Sequence, residues 1–139
     1  DLGGRLVVRA LDALGTGRLK PVPQDAEFAT YAPKLEAREF SVNWRESAPA
    51  TCRRVRALNP SPGASASLRD VKLKIWRCTT APGQGAPGEV LEADASGLRV
   101  ACGEGVLSIS ELQRPGGTRL PSADFLRGFH ISTGDRFAL

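Results

Sequence analysis

The sequence predicts a small, mainly β fold, a closed or partly open barrel, and three observations carry that prediction. Between residues 71 and 112 four short runs place apolar residues at strand spacing, and turns containing Gly or Asp separate them. One amphipathic helix, ended by prolines and a glycine, stands just before these runs. At 139 residues the chain holds one domain of ordinary size with a leading arm, and a second complete domain has no room.

The leading arm starts with Leu2, Leu6, Val7, Leu11 and Leu14 at helical spacing, followed by Gly15 as a left-handed cap, so 2–14 is expected to be an amphipathic helix. Its apolar stripe needs a partner, and Gly3 and Gly4 weaken its first turn. From 20 to 33 the chain loses any period and carries Pro21, Pro23 and Pro33, the pattern of an extended linker. Phe40, Val42 and Trp44 alternate with polar residues and predict a short strand with one apolar face.

Ser47 is placed to cap a helix running to residue 58, with Pro49 tolerated in the first turn. On its wheel Cys52, Val55 and Leu58 share one arc, and Arg53, Arg54 and Arg56 lie on the other. Asn59-Pro60-Ser61-Pro62-Gly63 forbids continuation. The expected strands are then 71–77, 88–93, 98–102 and 106–112, with 83–88 a loose loop and 94–97 and 103–105 tight hairpin turns. Ser122 is expected to cap a last helix carrying Phe125 and Leu126 and ended by Gly128, after which 134–137 returns to an extended tail.

Charge narrows the function. Residues 45–77 hold eight basic groups against Glu46 and Asp70, a local charge of +6 that exceeds the +4 of the whole chain. Such concentration is the electrostatic footprint expected for a polyanionic partner. Cys52, Cys78 and Cys102 are odd in number and widely spaced, so reduced, buried thiols are expected rather than disulfides or a zinc knuckle. No metal site is expected. His130 is the sole histidine, among ordinary surface residues, and no catalytic role is assigned to it or to any other residue. The Gly83-Gln84-Gly85 and Gly103-Glu104-Gly105 runs lack the strand-to-helix passage of a phosphate loop and are read as turns. Mean hydropathy of −0.20 and the lack of a long apolar run predict no membrane span. The chain opens Asp1-Leu2-Gly3-Gly4, has no methionine and shows no leader pattern, which reads as a piece of a longer, cytoplasmic protein.

Several of these segments together resemble the C-terminal domain of methionyl-tRNA formyltransferases. Tyr31-Ala32-Pro33-Lys34-Leu35 resembles that family's linker-to-domain junction, and the 55–64 run through Asn59-Pro60-Ser61-Pro62-Gly63 resembles its proline-glycine turn. Leu73-Lys74-Ile75-Trp76 is similar to its basic strand, and 123–128 with 134–137 to its final helix and tail. Ser61 stands where the family usually has tryptophan, and Asn43 where it has aspartate. The resemblance implies an open Greek-key barrel of the oligonucleotide-binding type with one basic helix inserted. It divides the chain into 1–19, the last helix of a catalytic domain otherwise outside this chain, a 20–33 interdomain linker, and a 34–139 tRNA-binding barrel. It implies a monomer acting on initiator methionyl-tRNA, with 10-formyltetrahydrofolate as co-substrate of the whole enzyme and no cofactor in this chain.

The candidate RNA contacts are Lys34, Arg38, Arg45, Arg53, Arg54, Arg56, Lys72, Lys74 and Trp76. The arginines of the helix and the lysines of the strand would form one positive stripe following a phosphate backbone. Trp76 shares the face of Lys72 and Lys74 and would stack an unpaired base or join the core. A merely solvated basic face is the plain alternative. Two other functions compete: the accessory domain of a sugar-nucleotide N-formyltransferase, and a stand-alone oligonucleotide-binding barrel.

Overall fold

A computed structural model describes residues 1–139, which fall into two compact units, Asp1–Lys34 and Leu35–Leu139. In the first, helix α1 spans Leu2–Gly15, one residue beyond the expected end. Gly15 stays helical, and the left-handed glycine is Gly17 at φ +66°. The Thr16 hydroxyl donates to the carbonyl of Asp12 at 3.0 Å, which holds the last turn together. No residue of α1 is buried. The 20–33 segment has no helix or strand apart from one 3-10 turn, Ala26–Phe28, whose entry is closed by the Asp25 carboxylate accepting from the Glu27 N–H.

The second unit departs from the expected strand at 40–44. Ala37–Phe40 is a 3-10 turn, and only Ser41 bridges to a strand, at Ser65. The Asn43 side-chain oxygen accepts from the Arg45 N–H at 3.1 Å and turns the backbone there. The alternation survives as burial, because Val42 and Trp44 both enter the core. Helix α2, Ala48–Ala57, forms as expected: the Ser47 hydroxyl accepts from the Ala50 N–H, Pro49 sits in the first turn, and Cys52 and Val55 face inward with Leu58 after them.

Strand β1, Ala64–Leu68, had no sequence signal, since alanines and serines lack the β-branched bulk that marks a strand. It exists because Arg69 and Asp70, both at positive φ, turn the chain tightly into β2, Val71–Ala81. β3 (Val90–Asp94), β4 (Gly97–Ala101) and β5 (Val106–Gln113) follow as hairpins, and a two-residue β6, Leu120–Pro121, pairs β5. The spatial order β1-β2-β5-β4-β3 with antiparallel neighbours throughout is a Greek key. Irregular register around Trp76 bends β2 and lets the sheet curl.

Helix α3, Ser122–Gly128, packs its Phe125 inward. Its cap position is Pro121, not Ser122. The Ser122 hydroxyl is buried and donates instead to the Ile109 carbonyl at 2.6 Å, because the helix starts flush against β5. The tail then stitches the two sheet edges: Val90 donates to Asp135 and Phe137 to Gly88 beside β3, while Ala138 donates to Ser67 of β1. The fold is therefore a mainly antiparallel, open barrel whose gap is bridged by the tail. Leu73, Ile75, Leu98, Leu107, Ile109 and Leu112 fill the interior, each worth about 1.5–3 kcal/mol on burial. Trp44 meets Phe137 at a ring separation of 5.1 Å, which ties the segment before α2 to the tail.

Candidate nucleic-acid interface

Of the predicted contacts, ion pairing removes two from the free set. Arg54 reaches Glu46 at 2.9 Å, both side chains about a third exposed, and Arg38 reaches Glu36 at 2.9 Å. Lys34 is exposed at the end of the first unit. Arg45, Arg53, Arg56, Lys72 and Lys74 are exposed in the second, and none has a carboxylate within ion-pair distance.

Four of these cations gather in two clusters rather than one stripe, and Arg45 lines neither. Arg53 and Arg56, one helical turn apart on α2, rim a groove of about 490 Å³ lined also by Pro49, Cys52, Cys78, Thr79 and Thr80. Lys72 and Lys74 rim a second concavity of about 310 Å³ with Ser65, Gln113, Arg114, Pro115 and Gly116. The two lie toward opposite ends of β2, since Lys74 and Thr79 are separated by about 16 Å of extended strand.

Trp76 shares the Lys74 face, with the ammonium 5.3 Å from its ring, but its stacking surface is covered. The guanidinium of Arg119 lies 3.4 Å from the ring centroid, Gly63 backs onto the far edge of the six-membered ring, and only 5% of the residue is exposed. Its indole N–H donates to the Gln113 side-chain oxygen at 2.8 Å. Base stacking on Trp76 therefore requires Arg119 to leave.

Arg114 and Arg119 escape a sequence reading because they sit in a Pro-Gly-Gly loop with no period. Only their recurrence on either side of that loop could draw attention. Elsewhere Arg77 pairs with Glu111, Arg99 with Glu92, Arg127 with Asp124 and Arg69 with Asp135.

The titratable groups offer little acid-base chemistry. The three cysteines are free and buried, and burial pushes the Cys78 and Cys102 thiols above the ordinary range. The Arg56 guanidinium reaches the Cys52 sulfur at 3.5 Å from the groove side. His130 is exposed, with Nε2 2.9 Å from the Ser132 hydroxyl. No group of three or more His, Cys, Asp or Glu side chains is arranged to hold a metal ion. No helix is long and apolar enough to cross a membrane.

Comparison with known proteins places this architecture. The methionyl-tRNA formyltransferase of Aromatoleum aromaticum is 49% identical over 136 residues, and that of Delftia acidovorans 49% over 138. These alignments take in 98% and 96% of this chain but 43% and 42% of the relatives, so the chain spans less than half their length. Among solved structures, a variant of HypX from Aquifex aeolicus superposes with a TM-score of 0.72 at 26% identity, over 93% of this chain and 23% of that one. HypX in complex with tetrahydrofolic acid superposes with a TM-score of 0.67 at 25% identity, over 96% and 26%. Residues 34–130, from the linker junction past α3, match the family described as formyl transferase, C-terminal domain, and with the barrel, the basic helix and the final helix in that family's order, the chain belongs to it.

Proposed function

We propose that this chain is the RNA-gripping C-terminal part of a methionyl-tRNA formyltransferase, holding the backbone of initiator methionyl-tRNA while another domain transfers the formyl group. In this reading 1–19 is the last helix of the catalytic domain, 20–33 is the interdomain linker, and the protein works in the cytoplasm as a monomer. The whole enzyme passes a formyl group from 10-formyltetrahydrofolate to the methionyl amine. The groove beside α2 does not fit the folate, because it is walled by arginines, threonines and thiols, without a carboxylate to accept the donor groups of a pterin.

The observation that supports RNA binding most directly is the pair Arg53 and Arg56, exposed side by side on α2 without a carboxylate partner. Lys72 and Lys74 are a second unpaired pair, and Arg45 adds a further free charge. Unpaired cations that neutralise phosphates release counterions when RNA binds, which supplies affinity without reading sequence. Arg54 and Arg38 belong to the basic set, but their pairing with Glu46 and Glu36 leaves them a lesser share. The relatives are named for methionyl-tRNA, which favours this reading over a sugar nucleotide.

The test is fluorescence anisotropy of labelled initiator tRNA at several salt concentrations. The expected log–log slope is about two to five, and Arg53→Ala/Arg56→Ala should lower it by about two. Absence of binding at low salt, or an unchanged slope in the double variant, would overturn the proposal.

A further inference from the structure

The concavity at the start of β2 has a construction the first groove lacks. Arg119 is exposed, yet its guanidinium is laid on Trp76 with its centre 3.4 Å from the ring centroid, and Nη2 donates to the Pro60 carbonyl at 3.2 Å. Trp76 is itself fixed, by Gly63 against its edge and by its N–H to Gln113. Gln113 in turn donates from Nε2 to the Gly117 carbonyl at 2.7 Å, which anchors the 114–119 loop to the strand. Lys74 is held alongside, its Nζ donating to the Pro62 carbonyl at 2.7 Å. Lys72, Lys74, Gln113 and Arg114 line the concavity with no acidic residue among them, and Arg119 adjoins it through Trp76, which Lys74 and Gln113 also contact.

Arginine side chains at a surface ordinarily lose rotamer freedom when they bind an anion. Here the stacking on Trp76 removes that freedom beforehand while leaving guanidinium N–H groups unengaged. A fixed planar fork on the same ring as the Lys74 ammonium is suited to the tetrahedral oxygens of a phosphodiester.

We infer that Lys72, Lys74, Arg114 and Arg119 form a preset cradle for an RNA backbone phosphate, with Trp76 as the platform of Arg119 rather than a stacking surface for a base. The inference rests on the proposed RNA-binding role and deepens it: RNA engages both ends of β2, the second through a loop outside the basic stretch.

Arg114→Ala/Arg119→Ala and Lys72→Gln/Arg114→Gln would be titrated with labelled initiator tRNA beside Arg53→Ala/Arg56→Ala, across the same salt series. The second variant leaves the Trp76 contacts intact and decides the matter if the first fails to fold. Each cradle variant is expected to lower the salt slope by about one to two, additively with the α2 pair. A wild-type slope in Lys72→Gln/Arg114→Gln, with the α2 variant flattened, would overturn the cradle and leave the broader reading standing. No binding by the unaltered chain at low salt would overturn both.

Discussion

Gly63→Ala tests whether Trp76 is clamped, and the expected magnitude follows from the structure. A Cβ added at Gly63 would lie 2.5, 2.8 and 3.0 Å from three carbons of the Trp76 ring, and the residue sits at φ +86°. Gly116 is a control for the backbone alone: at φ +69° it shares the left-handed conformation, but a Cβ there meets nothing within 4 Å. Both substitutions incur the strain of a side chain in that region, about 1–2 kcal/mol, and both reduce the freedom of the unfolded chain. Only Gly63→Ala adds overpacking, about 1–3 kcal/mol, because a ring held by Gln113 and Arg119 has no easy retreat. At about 4 °C per kcal/mol for a domain of this size, Gly63→Ala should melt about 4–12 °C below Gly116→Ala. Thermal unfolding by circular dichroism measures the difference. Tryptophan emission should also shift to the red in Gly63→Ala, since Trp44 stays buried and Trp76 moves outward. Equal melting temperatures and unchanged emission would refute the clamp.

Asp135 accepts from Arg69 and from the Ser132 N–H, and the Arg69 guanidinium holds its carboxyl below the ordinary 3.8. A depressed carboxylate contributes stability that is present above its unfolded pKa and lost as pH falls through the folded one. Asp135→Asn should therefore have a lower urea midpoint than the unaltered chain at pH 7, with the gap closing below about pH 3.8; a gap of constant size would remove the ionic explanation. Ser122→Ala deletes the buried donor to the Ile109 carbonyl and should cost about 1–2 kcal/mol in chemical denaturation, whereas a neutral result would show that the bond contributes nothing net. Arg54→Ala should lose stability, by about 0.5–1 kcal/mol, with little change in RNA salt slope, because its guanidinium is engaged by Glu46. A slope lowered as far as in the Arg53/Arg56 variant would contradict that division of roles.

What the sequence alone determined is what short-range physics controls. Ser47, Pro49 and the 59–63 turn delimit α2 because capping and proline geometry act within a few residues. Leu73 and Ile75 alternate with Lys72 and Lys74 because strand period is a property of the backbone, and the excess of basic residues from 45 to 77 is a matter of composition. The family resemblance came from ordered local segments, and with it the Greek key. Only the tertiary structure decided which charges remain free: Arg54 and Arg53 are neighbours on one helix, and Glu46 distinguishes them through a contact the helical wheel does not contain. It also made a strand of Ala64–Leu68, whose residues have little preference for one, by giving it β2 to pair with. Arg119, 43 positions beyond Trp76, became part of the same cluster because the β5–β6 loop folds back over β2. Pairing across the sheet and stacking between distant segments depend on chain closure, and no local pattern records where a chain will close on itself.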